Sequence, residues 1–271
     1  MNLNSEQVET IRHASVCGQI INVPSQAKAV ESIIAAAQSG DAFSCFTLNL
    51  DHLVKLRRNS VFQRAYRAAR FVTADGAPVA ALARHQWREV ERTTGADLFI
   101  PICEAAAKRG LPIYLFGTDE SVLVGTAREM KQRTSGRVIV AGLEAPPQGF
   151  DPTGREADET IERIRCSNAR ICFVMLGAPK QEIFATRALE RGIQCGFICV
   201  GAAADFLVGR QKRAPLLLQR WGLEWVWRLA NSPLQLGPRY LRCGGLLVQL
   251  LTQEAWCALW GAPANRMRKA R

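Results

Sequence analysis

The sequence predicts an α/β fold: a mainly parallel sheet with helices on both faces, plus a small C-terminal helical appendage. Two observations carry this. Short apolar runs alternate with amphipathic helical patterns through the first 209 residues, and the alternation then stops at Gly209. Strands that alternate with helices make βαβ units, and the helices cover both faces of the sheet they connect. The first helix reads over Ala27–Gln38, with Ala29, Val30, Ile33, Ile34 and Ala37 at helical spacing and Gly40 as its stop. The run Phe43–Leu50 is the first buried strand, followed by a helix over Leu53–Ala69 and a strand at Phe71–Thr73. Next come a helix at Ala96–Lys108, a strand at Ile113–Phe116, a helix at Ser121–Arg133 and a strand at Val138–Ala141. Residues Gly142–Gly154 read as a loop. The helix Glu156–Arg165, the strand Ile171–Leu176, the helix Lys180–Arg191 and the strand Gly196–Val200 complete the body. Pro179 opens the helix that follows it, where a missing N–H costs little. Beyond Gly209 the pattern is Ala214–Ala230, a Gly237–Pro238 break, and Tyr240–Leu259.

These limits divide the 271 residues into a body, 1–209, and an appendage, 210–271. The chain is long enough for a sizeable core, and 48% hydrophobic with 22% charged residues excludes a disordered or collagen-like chain. Its net charge of +11 is uneven. The appendage holds eleven basic residues against Glu224 and Glu254, a net +9, and five of the six tryptophans. Such a tail suits a polyanion, and tryptophan favours a lipid headgroup boundary over nucleic acid. The bland alternative is a basic surface that only aids solubility. Nine cysteines, an odd number without a CxxC pair, read as reduced thiols, and three scattered histidines make no metal site. The segment Met1–Val16 lacks an apolar signal core, and no run of 18 apolar residues is present. A cytoplasmic protein is expected, one that at most lies on a membrane.

Ligands on parallel sheets sit beyond the C-terminal strand ends. Five of those ends are polar or glycine-rich here: Thr47-Leu48-Asn49 with Asp51, Thr73-Ala74-Asp75-Gly76, Gly117-Thr118-Asp119, Gly177 to Glu182, and Gly201 to Asp205. Glycine lets backbone N–H groups approach a phosphate, a role that suits Gly117, Gly177 and Gly201. Asp75 ends an apolar strand, where partial desolvation can tune a carboxylate into a base; the alternative is a turn cap paired with Gly76. Asp205 is open to a ligand role or a purely structural one. Lys180 opens a helix, where a cation is unfavourable unless an anion is bound. The chain has no GxGxxG, GxxxxGK[ST] or GxSxG motif and no DxD pair. Nothing in the sequence indicates a metal or a resident cofactor.

Taken in order, several strings resemble the WecG/TagA/CpsF family of bacterial glycosyltransferases. They are Thr47-x-Asn49, Ala74-Asp75-Gly76, Arg92-Thr-Thr-Gly95-Ala-Asp97, Phe116-Gly117, Gly177-Ala-Pro-Lys-Gln-Glu182, Gly201 to Gly209, Arg213-Ala-Pro215 and Leu223-Glu-Trp225-x-Trp227-Arg228-Leu229. The resemblance covers about Gly18 to Leu241. It implies a Rossmann-like, metal-independent, inverting enzyme. Such an enzyme moves a sugar from a UDP-sugar to a polyprenyl-diphosphate-linked sugar in cell-surface or exopolysaccharide synthesis. It also implies peripheral association with the inner face of the plasma membrane through the appendage. By the resemblance, Asp75 is the general base and Thr47, Asn49 and Gln181 are further site residues. Arg92 falls on a site arginine, and Arg213 and Arg228 on arginines facing the diphosphates. One departure stands out: where relatives carry an arginine-rich string, this chain reads Pro233-Leu-Gln-Leu-Gly-Pro-Arg239-Tyr240.

The alternative readings are a non-catalytic nucleotide or nucleic-acid binding module, a nucleotide-dependent oxidoreductase and an interaction protein. The absent RNP and dinucleotide motifs and the polar strand ends weigh against them. The transferred sugar, N-acetylmannosamine-type or glucose, the acceptor sugar and the oligomeric state, a homo-oligomer included, stay open.

Overall fold

A computed structural model describes residues 12–260. The cluster Arg266–Arg271 and the side chains of Trp256 and Trp260 lie outside the described residues. A short hairpin leads in, with β1 (Ala14–Val16) antiparallel to β2 (Gln19–Ile21). Cys17 and Gly18 both have positive φ, as a tight two-residue hairpin turn requires.

The body follows in the order α1 (Gln26–Ser39), β3 (Phe43–Leu48), α2 (Leu50–Leu56), α3 (Ser60–Ala68), β4 (Phe71–Ala74), α4 (Ala77–Arg84), α5 (Gly95–Lys108), β5 (Ile113–Gly117) and α6 (Glu120–Arg133). It continues with β6 (Val140–Glu144), α7 (Arg155–Cys166), β7 (Ile171–Met175), α8 (Lys180–Glu190), β8 (Gly196–Cys199) and α9 (Ala203–Leu207). Three C-terminal helices close the chain: α10 (Leu216–Arg220), α11 (Glu224–Asn231) and α12 (Pro233–Trp260).

Strands β3 to β8 form one parallel sheet in the order β4-β3-β8-β7-β5-β6, Rossmann-like as the sequence leads one to expect. Alternate side chains of each strand enter opposite layers. In β7, Cys172 and Val174 face a layer built with Leu53, Phe62, Ile161 and Phe184 of α2, α3, α7 and α8. Ile171 and Phe173 face Ile33, Phe99, Ile102 and Leu123 of α1, α5 and α6. Each fully buried Val, Leu, Ile or Phe among them contributes about 1.5–3 kcal/mol. Cys45, Cys103, Cys172, Cys195, Cys199 and Cys243 are buried without disulfides, and burial pushes the Cys45 thiol up to about 12. They serve as small core side chains.

The structure differs from the sequence reading at several elements. The pattern expected over Ala214–Ala230 is two helices, α10 and α11, and the hairpin β1–β2 and helix α9 were not expected. The helix expected over Leu53–Ala69 is two, because Asn59 caps a new start by accepting from the Phe62 N–H. Helix α4 lies where no element was expected. Strand β6 begins two residues later than its apolar run and extends to Glu144, into the segment expected as a loop, and its register with β5 shifts between Ile113 and Tyr114. The expected Gly237–Pro238 break is absent, and α12 runs through it. Pro238 removes one N–H close to the helix start, and Gly237 before it has no Cβ to clash with the ring.

Candidate active site

At the C-terminal edge of the sheet, β7 and β3 lead into α8 and α2 on one face, while β8 between them leads into α9 on the other. Neighbouring strand ends therefore part and leave a crevice. The crevice holds a cavity of about 810 Å³, closed on one side by α11 and α12.

Asp75 lies on the cavity wall just after β4. Its backbone N–H donates to the Leu48 carbonyl at 2.8 Å, which ties the end of β4 to the end of β3. One carboxylate oxygen accepts from Asn49 Nδ2 at 3.3 Å. Burial pushes the carboxyl up to about 6, against the opposing pull of the Asn49 hydrogen bond and the nearby Arg228 and Arg92 charges; Glu224 pushes it further up. An acid so placed changes charge near neutral pH, as a proton acceptor for an alcohol should.

Asn49 caps α2 through its side-chain oxygen, which accepts from the His52 N–H at 3.0 Å, so its amide group is free to reach Asp75. Beneath it, the His52 Nδ1 and the Tyr66 hydroxyl are 2.6 Å apart, and that hydroxyl donates to the Thr47 carbonyl at 3.3 Å. Both bonds form together when His52 carries its proton on Nδ1. Burial pushes the imidazole down to about 3, so it is neutral at physiological pH. Thr47 itself is buried at the cavity edge.

Gln181 is held at both ends. Its Oε1 accepts from the Gly201 N–H at 3.1 Å, and its Nε2 donates to Glu182 Oε1 at 2.7 Å. Asp205 lies across the cavity, where both carboxylate oxygens are 3.3 Å from the Thr118 hydroxyl.

Four cations line the wall, and each has a carboxylate partner. Lys55 and Arg239 share Asp51, at 2.7 and 3.2 Å. Arg228 meets Glu224 at 2.9 Å and lies over the Phe206 ring. Arg92 lies 3.7 Å from Glu224 and 3.8 Å from Asp97. A short segment beside the β4 end positions it, with the Thr93 N–H donating to the Ala74 carbonyl at 2.8 Å. The N-terminus of α5 completes this side through Thr94, Gly95 and Ala96. A Cβ on Gly95 would lie 2.7 Å from the Val200 Cα, so glycine lets this helix start approach the end of β8. The first N–H groups of a helix and two guanidinium groups favour an anion.

The cavity thus gathers Thr47, Asn49, Asp75, Arg92, Gly177, Gln181, Gly201, Asp205 and Arg228. Three other sequence candidates stand outside its wall. Gly117 packs against β7: it has φ +125°, and a Cβ there would lie 2.5 Å from the Met175 oxygen. Lys180 turns away and donates to the Phe150 carbonyl at 2.7 Å, which answers the expectation that it needs an anion. Arg213 pairs with Asp97. Burial works to raise the Asp97 carboxyl, but the Arg213 guanidinium outweighs it and the net shift is downward.

The wall also holds Asp51 of the first polar strand end, and the structure adds His52, Lys55, Glu224, Arg239 and the start of α5. The four-residue spacing of Asp51 and Lys55 was a readable signal of an ion pair on a helix. So was that of Glu224 and Arg228, whereas the Glu224 contact with Arg92 and the Arg239 contact with Asp51 join residues far apart in sequence and left none.

The model of the WecG/TagA/CpsF glycosyl transferase family matches residues 14–258, which span every strand of the sheet and the helices that close the cavity. The chain belongs to the WecG/TagA/CpsF family of glycosyltransferases.

Proposed function

We propose that the protein is an inverting, metal-independent transferase that moves a sugar from UDP to a polyprenyl-diphosphate-linked sugar, with Asp75 as general base. The observation that carries this is the placement of Asp75: a carboxyl held near 6 in a large cavity, with two guanidinium groups close to it. A sugar hydroxyl is a poor nucleophile, and a positioned base typically adds about 10²–10⁴-fold. Asp75 takes the proton of the acceptor hydroxyl as its oxygen attacks the anomeric carbon. The bond to UDP breaks on the opposite face, so one displacement inverts the centre. Charge grows on the leaving diphosphate, where Arg92, Arg228 and the α5 N-terminus would stabilise it. In doing so the diphosphate competes with Glu224 for the two guanidinium groups. Thr47, Asn49 and Gln181 orient the two sugars. The transferred sugar is of the N-acetylmannosamine type or glucose.

The residues beyond Gly209 form the appendage in this reading, and it lies on the inner face of the plasma membrane. Support comes from Leu217, Trp221, Trp225, Leu234, Leu241 and Val248, which expose apolar area on α10, at its C-terminal cap, and on α11 and α12. Among the described residues no helix is long and apolar enough to cross a membrane. The test is a panel of UDP- and GDP-sugars with a polyprenyl-diphosphate-sugar acceptor, with products read by mass spectrometry. The proposal expects a UDP-sugar to react, and Asp75→Asn to abolish turnover while UDP still binds. Normal turnover by Asp75→Asn would remove the base assignment.

A further inference from the structure

Glu182 is a buried acid with no part in the chemistry above. Its side chain is fully buried, follows Gln181 in the first turn of α8 and stays outside the cavity wall. Among the described residues its Oε2 has no hydrogen-bond partner, and no cation lies within ion-pair distance; His52, 3.9 Å from Oε1, is neutral. A carboxyl in that position is expensive for the fold, and an apolar side chain of similar size would cost less. Besides that from its own backbone N–H, the Glu182 carboxyl accepts one hydrogen bond, at 2.7 Å from Gln181, among the described residues.

That contact has a chemical consequence. The oxygen and nitrogen of a glutamine amide are nearly equal in size, so a flip exchanges a donor for an acceptor. The Gly201 N–H selects the oxygen at one end, and Glu182 selects the nitrogen at the other. Both choices agree, which leaves one N–H and one lone pair of Gln181 for ligands in the cavity, each in a fixed direction. We propose that Glu182 is a positioning residue for the transfer reaction, acting only through Gln181 by locking the orientation of its amide. This rests on the transferase reading and on Gln181 meeting a sugar hydroxyl. Burial pushes the Glu182 carboxyl up to about 7, and its oxygen can accept from Gln181 whether or not the group is ionised.

The experiment is a double-mutant cycle on the full chain with the reactive donor and acceptor. Gln181→Met and Glu182→Met should each lower kcat/KM by about 10–100-fold. The double variant should be no worse than the poorer single variant, within about twofold, because Glu182 then has nothing left to position. Glu182→Gln keeps an acceptor oxygen and should stay within about threefold of the parent protein. Thermal unfolding checks each variant, and Glu182→Leu takes the place of Glu182→Met if the latter does not fold. A general structural role would instead give losses that multiply. Multiplied losses, or normal turnover by either single variant, overturn the proposal. Asp75→Asn, run alongside, keeps the two readings apart. Normal turnover by that variant removes the base assignment, whereas an inactive Asp75→Asn with a multiplicative cycle removes only the role of Glu182.

Discussion

Replacing Asp75 with asparagine should make the protein more stable while it destroys turnover, and the gain should depend on pH. Burial raises this carboxyl from an ordinary 3.8 to about 6. A folded-state pKa above the unfolded value means that the folded form binds the proton more tightly, so ionisation costs stability. Below pH 3.8 both states are protonated and the cost vanishes. It grows as the pH rises and is complete above 6. At about 1.4 kcal/mol per pH unit, the penalty is about 1 kcal/mol at pH 4.5 and about 3 kcal/mol at pH 8. Asparagine keeps an oxygen to accept from Asn49 and carries no charge, so it escapes this penalty. Its new N–H group takes back part of the gain. Denaturant unfolding should show Asp75→Asn stabilised by about 1–3 kcal/mol at pH 8 and by clearly less at pH 4.5. In parallel, kcat/KM of the parent protein should fall below about pH 6. Lower stability of the variant at pH 8, or an equal change at both pH values, would refute the reasoning.

Three further outcomes follow from the same geometry. Asp75 is faced by Asn49 of the α2 cap, Arg92 beside β4, and Glu224 and Arg228 of α11; removing the acid with Glu224→Gln should move the acidic limb of kcat/KM to lower pH by roughly half a unit or more, read from a pH–rate profile. Gly117→Ala should cost more than about 2 kcal/mol in denaturant unfolding, since a Cβ would strike the Met175 carbonyl at a backbone angle that suits only glycine. Lys180→Met should leave the donor KM within about twofold and cost about 1 kcal/mol of stability, because its ammonium group holds the Phe150 carbonyl rather than a ligand.

Strands β3, β5, β7 and β8 were legible because each is buried on both faces and reads as a short apolar run, whereas the half-buried edge strand β6 was misplaced by two residues and the short β1–β2 hairpin gave no such run. The ends of β3, β4, β7 and β8 were legible as site positions because polar residues and glycines interrupt those runs at Asn49, Asp75, Gly177 and Gly201. Local signals failed where a partner lay far along the chain. Lys180 looks like an anion ligand until Phe150 is seen to accept from it. The pairing of Arg213 with Asp97, 116 residues away, likewise has no local signal. Glu182 reads as an ordinary first-turn acid, and only the packing of α8 on the sheet shows that it is buried. The break between α2 and α3 was in the sequence, because Asn59 is a good cap; the apolar spacing of Val54, Phe62 and Ala65 ran across it and concealed it.

The strand order has a consequence for how the protein is made. The first two strand pairs of the parallel sheet to leave the ribosome, β3 with β4 and β5 with β6, end up on opposite sides of that sheet. Between them is a gap that two strands must fill, so β3 and β5 stand roughly 14 Å apart at the usual strand spacing. The two strands that fill it, β7 and β8, are synthesised last of the six. A nascent chain cut short before residue 199 therefore holds two unjoined half-sheets with bare inner edges, each ready to pair with a neighbour. Aggregation during translation should centre on that interval, and a chaperone that covers strand edges should raise the yield more than a lower expression temperature does.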